Sequence, residues 1–88
     1  MAYRLRITKR ARDDLAKLDR PILVSVRKRL NRLVETADQI HHLPLKGRFA
    51  GLYKLRVRKD YRVIYDLKHD EQEIMVVRVG HRRDVYKG

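Results

Sequence analysis

Apolar residues alternate in four short stretches and recur at helical spacing in two. Tyr3, Leu5 and Ile7 alternate with Arg4 and Arg6, which predicts a first strand. Thr8 follows as a helix N-cap, and Ala11, Leu15 and Leu18 then share one helical face, so the first helix is expected to end near Asp19. Asp13 and Asp14 are placed to complement the positive end of its dipole. Pro21 suits the first position of a second helix, whose stripe is Ile22, Val26, Leu30, Leu33 and Val34. Arg27, Lys28, Arg29 and Arg32 cover much of its remainder and read as a solvated face. The period fades near Thr36, and a loop rich in turn formers runs to Gly51.

The stretch Leu52 to Tyr65, LYKLRVRKDYRVIY, predicts a hairpin. Tyr53, Leu55 and Val57 point one way and Lys54, Arg56 and Arg58 the other. After a polar break at Lys59 and Asp60, Tyr61, Val63 and Tyr65 resume the apolar face, with Arg62 and Ile64 on its reverse. A turn at His69, Asp70 and Glu71 leads to a last strand from Glu73 to Val79, with Met75, Val77 and Val79 on one face, Arg78 on the other and Gly80 at its end. The order is β-α-α-β-β-β in one domain spanning residues 1–88. Its expected class is α+β: a twisted, mainly antiparallel four-stranded sheet, a helix pair on one side and a concave basic surface on the other.

Charge sharpens this picture. Lys and Arg number 23 against 11 Asp and Glu, a formal charge of +12, which is the electrostatic footprint of a nucleic-acid binder. Cations lined up on one sheet face repel each other, so keeping them together points to an anionic partner. There is no cysteine, hence neither a disulfide frame nor a thiolate site, and a reducing cytoplasm fits. No apolar run approaches a membrane span, and neither a signal peptide nor a membrane partner is expected.

Glycine-rich phosphate loops, dinucleotide fingerprints and hydrolase triads are missing. His41, His42, His69 and His81 lack ligand spacing, so neither a metal nor another cofactor is expected. RNA cleavage by the substrate's own 2′-hydroxyl needs neither. The protein has only to align that oxygen with phosphorus, move protons and stabilise charge. Lys54, crowded by Arg56, Arg58 and Arg62, is the candidate for proton transfer, since neighbouring cations favour a neutral amine. Tyr86 lies outside the regular alternation, placed to stack on a base or donate a proton. Tyr53, Tyr61 and Tyr65 read as core.

The order of elements, the hairpin YKLRVRKDYR and the ending GHRRDVY resemble the RelE/ParE superfamily of type II toxin–antitoxin toxins, nearest its RelE-like ribonuclease branch. The resemblance covers nearly the whole chain and implies a ribosome-dependent endoribonuclease that cuts messenger RNA in the A site and leaves a 2′,3′-cyclic phosphate. It implies catalytic positions at Lys54, Arg56, Arg62, Arg82 and Tyr86, with Lys54 in proton transfer, Arg62 in charge stabilisation, Arg82 protonating or neutralising the leaving oxygen and Tyr86 stacking on the base. Arg83 replaces Arg82 if the tail register shifts by one. Arg58, Lys59, Arg78, His81 and Arg83 are the expected surrounding RNA contacts. The resemblance further implies a cognate antitoxin, ribosomal RNA contacts, and operator DNA reached only through the antitoxin complex. Arg56 stands where related ribonucleases often carry Lys, and many relatives continue into a further helix beyond the position of Tyr86. A gyrase-poisoning toxin of the same superfamily and a non-catalytic RNA-binding module are the competing readings.

Overall fold

The computed structural model describes residues 2–87. In chain order it contains β1 (Arg4–Ile7), α1 (Lys9–Ala16), α2 (Arg20–Thr36), β2 (Leu43–Pro44), a 3-10 turn (Gly47–Phe49), β3 (Tyr53–Val57), β4 (Tyr61–Lys68) and β5 (Glu73–His81). The strands form one sheet in the order β1-β5-β4-β3-β2, with β1 parallel to β5 and every other neighbour antiparallel. The expected α+β order holds with one strand more than the expected four. Leu43 and Pro44 pair with Lys54 and Tyr53 at the sheet edge. Two residues ending in proline carry no alternation to read, and an edge is where a strand tolerates proline.

Thr8 caps α1 as expected, its Oγ1 accepting from the Ala11 amide at 3.1 Å. The helix stops at Ala16, earlier than expected, because Asp19 already serves as the N-cap residue of α2, with Pro21 in the first turn. Asp13 and Asp14 lie beyond the first turn of α1, so the expected dipole contact is not made. The core lies between the helices and one sheet face. Ala11, Val26, Leu30 and Leu33 meet Leu55, Val57, Val63, Tyr65, Ile74, Val76 and Val79 there.

The last strand departs from the expected alternation. Ile64 pairs with Arg78 but Tyr65 pairs with Val76, so Val77 is an extra residue in β5. Such a bulge shifts the side-chain phase by one. Ile74, Val76 and Val79 therefore face the core in place of the expected Met75, Val77 and Val79. The strand also continues through Gly80 to His81.

β1 covers only the Glu73–Val76 stretch of β5, which leaves the rest of that edge to α1. The Thr8 amide donates to Val76 O at 3.0 Å and its hydroxyl to Val77 O at 3.2 Å. One turn further, the buried Asp14 carboxylate accepts from the Val79 amide at 3.0 Å and from Arg78 Nε at 2.9 Å. A side chain thus does at Val79 what a neighbouring strand does at Val76.

On the far side, His42 fastens the α2–β2 connection to the core. Its Nε2 donates to Ala37 O at 2.7 Å, so its Nδ1 accepts from the Tyr65 hydroxyl. Tyr65 is 1% exposed, and burial, with a smaller contribution from Tyr53, pushes its hydroxyl up to about 12.

Two predictions follow from these contacts. Asp14→Ala leaves the Val79 amide and Arg78 without their acceptor and is expected to cost about 3 kcal/mol in urea unfolding, whereas Asp14→Asn, which keeps an acceptor oxygen, costs less. For Tyr65 the folded value lies above the ordinary 10.0, so its contribution is complete below pH 10 and disappears as pH rises towards about 12. Roughly 2 kcal/mol of stability is therefore expected to vanish across that window. In Tyr65→Phe this alkaline step should be missing from the Tm-against-pH profile.

Candidate functional site

The sheet face opposite the helices divides at the bulge. Towards β1 and the β4–β5 turn it carries Glu73, buried beneath Arg4 (3.8 Å), Arg6 (3.8 Å) and Lys68 (3.9 Å). Asp66 lies in the adjoining row, opposite Met75. Towards the β3–β4 turn, one row reads Leu43, Lys54, Ile64, Arg78 across four strands, and the next reads Arg56, Arg62, Gly80 across three. Neither row contains an acid. The basic surface expected on this side is therefore free of acids only in these rows.

Arg56 and Arg62 are directly paired across β3 and β4. Like charges in that relation destabilise a sheet unless an anion bridges them. Arg62 is steadied by the turn beside it, its Nη1 donating to Lys59 O at 3.1 Å and Tyr61 O at 2.9 Å. Among the described residues its Nε and Nη2 have no protein partner, which leaves one side of the guanidinium for a phosphate.

The tail is tied to the β3–β4 turn beside these rows and to the loop that precedes β3. The Arg82 amide donates to Asp60 O at 2.7 Å, and Arg82 Nε lies 3.5 Å from the Asp60 carboxylate, which sets this arginine at the same turn as Arg62. The Val85 amide donates to His81 O at 2.9 Å, and Val85 is seated against Gly80, where an added Cβ would meet it at 3.7 Å. Val85 and Ile64 are both fully buried yet stand outside the main core. Val85 is the buried residue of the tail. Beyond it, Arg78 Nη1 donates to Lys87 O and Arg48 Nη2 to Tyr86 O, both at 3.2 Å. The Tyr86 ring meets Phe49 edge-on, with centroids 5.9 Å apart.

The expected residues thus separate by position. Lys54, Arg56 and Arg62 share the acid-free rows, and Arg82 and Tyr86 are carried to their margins by the tail. Arg58 takes a left-handed conformation (φ 51°) and its Nε donates to Ser25 Oγ on α2 at 2.9 Å, which draws it to the helix side. His81 is also on the helix side, its ring edge-on to Tyr61 and its Nδ1 accepting from the Arg83 amide. Arg78 is on the open face but is held by Asp14, with its side chain 14% exposed. Lys59 and Arg83 are exposed. With Arg58 turned away, the crowding around Lys54 comes from fewer cations than expected. Asp60, Val85, Arg48 and Phe49 escaped the sequence reading. A lone Phe between two glycines was the available signal for the last of these.

Residues 5–86 match the family model described as the ParE toxin of type II toxin–antitoxin systems, parDE. Toxin RelG of Mycobacterium tuberculosis is 32% identical over 87 residues, covering 99% of both chains. The toxin–antitoxin complex RelBE2 of M. tuberculosis contains a chain that superposes with a TM-score of 0.81 at 32% identity, covering 96% of this chain and 95% of that one. The isolated E. coli RelE toxin superposes with a TM-score of 0.75 at 27% identity, over 91% of this chain and 84% of its own. The chain belongs to the RelE/ParE superfamily and is a toxin of the type II toxin–antitoxin class.

Because Val85 anchors the tail, Val85→Ala is expected to cost about 2 kcal/mol of stability through the cavity it leaves. It should also release the Tyr86 carbonyl from Arg48, seen as faster amide exchange across residues 82–87. Unchanged exchange there would mean that the tail is held by its hydrogen bonds alone.

Proposed function

We propose that this toxin is a metal-independent endoribonuclease that cuts messenger RNA in the ribosomal A site and so stops translation in the cytoplasm. The observation that carries the reading is the pairing of Arg56 with Arg62 in acid-free rows beside Lys54, with Arg82 tied to the same turn. Such a surface matches a phosphodiester whose charge grows during in-line attack.

In this reading Lys54 accepts the proton of the 2′-hydroxyl as that oxygen bonds to phosphorus. Arg62 and Arg56 stabilise the charge on the non-bridging oxygens. The bond to the 5′-oxygen breaks, the Arg82 guanidinium stabilises the charge on that oxygen until it takes a proton from water, and a 2′,3′-cyclic phosphate remains. Tyr86 stacks on a neighbouring base and holds the sugar in line. Arg83 and Lys59 contribute phosphate contacts from the rim, and Arg78 reaches RNA only through what its bond to Asp14 leaves free. A cognate antitoxin is the expected partner, as RelBE2 of M. tuberculosis is itself a toxin–antitoxin complex. A groove of about 240 Å³ between α2 and β3, lined by Arg29, Arg32, Leu33, Thr36, Ile40 and Leu55, suits an amphipathic acidic segment.

The ParE description of the matching family model favours a second reading, a toxin that poisons gyrase. Mapping messenger 5′ ends after controlled expression separates the two. The wild type is expected to produce new ends confined to translated frames, and Arg62→Ala with Arg82→Ala to reduce them by at least about 100-fold while remaining folded. Growth arrest with DNA damage and no new ends would sink the ribonuclease assignment in favour of gyrase.

A further inference from the structure

The connection between β2 and β3 is better ordered than its composition indicates. The Leu45 amide donates to Leu52 O at 2.9 Å, the Ala50 amide to Gly47 O at 3.0 Å and the Leu52 amide to Phe49 O at 3.1 Å, so the loop closes upon itself. Gly47 and Gly51 bracket it with φ of 67° and 91°, conformations that residues with a Cβ adopt only under strain. This frame holds up Arg48 and the chain's single phenylalanine. Phe49 is half-buried and is not part of the hydrophobic core. Its ring instead stands at 73° to that of Tyr86, with the Arg48 guanidinium 5.2 Å from its centroid.

Two rings meeting nearly at right angles, with a guanidinium beside them, form a corner. A planar base can lie on one ring with its edge against the other, and every nucleobase offers the π-face this needs. The Arg48 bond to the Tyr86 carbonyl fixes the backbone that carries the second ring. The loop then runs into β3, where Lys54 and Arg56 begin the cationic rows. We propose that Phe49, supported by Arg48, positions Tyr86 and forms the second wall of a subsite for one unpaired RNA base, and that this corner sets which base is preferred next to the cleaved bond. The assignment to RNA rests on the ribonuclease reading, but the subsite is testable without cleavage.

The test titrates the full-length toxin with short single-stranded RNAs whose 2′-hydroxyls are all methylated, so that they bind but cannot be cut. A single phenylalanine makes its ring resonances unambiguous in NMR. The expected result is movement of both ring signals that depends on the base supplied, upfield for the ring on which the base lies and downfield for the ring that meets its edge. Phe49→Leu, which keeps bulk without a π-face, should weaken binding roughly 10-fold and flatten the preference among bases, and Phe49→Trp should restore both. Still Phe49 signals on binding, wild-type affinity and base preference in Phe49→Leu, or the absence of binding by any of these RNAs would each overturn the proposal. Stacking at Phe49 without messenger cleavage in cells would keep the subsite and remove the ribonuclease reading. Cleavage indifferent to Phe49→Leu would do the reverse.

Discussion

The carboxylate of Asp14 is the contact on which the geometry of the open face turns. A sheet strand whose neighbour stops short has amide groups that need partners, and the interior gives them no water. Here β1 ends while β5 continues, and α1 packs along the remaining edge with Asp14 aimed at the Val79 amide. The same carboxylate grips Arg78, which in turn holds the carbonyl of Lys87. A chain of contacts therefore runs from the first helix, through the bulged strand, to the end of the tail. Two charges that are nearly dry depend on each other, which makes the arrangement intolerant of losing either partner.

That chain of contacts explains how cations can be kept together on one side of a small domain. Arg56 opposite Arg62 is a local conflict, and the stability to tolerate it must come from elsewhere. Part comes from the hydrogen bonds of Arg62 to its own turn, part from the pairing of Arg82 with Asp60, and part from the burial of Val85 against Gly80. None of these neutralises the centre of the rows. They hold the cations in place without cancelling them, which is the condition for charge that is to act on a ligand.

Much of the fold was legible because its signals are local. The alternation in LYKLRVRKDYRVIY, the Thr8 cap, Pro21 at the start of α2 and the fading period at Thr36 each depend on neighbours within one or two turns. The misread features depend on residues far apart in sequence. Val77 becomes a bulge only because β4 and β5 change register, so the core face of β5 could not be found by counting twos. Asp14 has the look of a helix-dipole residue until α1 is docked on β5. Arg58 and His81 sit among cations in sequence, yet turn geometry and strand parity carry both to the helix side. The grouping of Lys54, Arg56 and Arg62 was legible because strand pairing alone produces it. The placing of the tail at the margin of that group was not, since Val85 reads as an ordinary residue until the tail turns back against Gly80.

The bulge also gives the open face its division of charge. On one side of it Glu73 lies within 4 Å of Arg4, Arg6 and Lys68, so part of their charge is offset within the protein. On the other side Lys54, Arg56 and Arg62 have no such carboxylate in their rows. A uniformly basic face would attract any polyanion anywhere along it, with little control over where a phosphate comes to rest. Partial compensation of one half leaves the other the more positive, with the tail at its margin. One extra residue in β5 thus shifts the strand's phase, puts Arg78 where Asp14 can hold it, and marks the line between the half of the face that contains carboxylates and the half whose rows contain none.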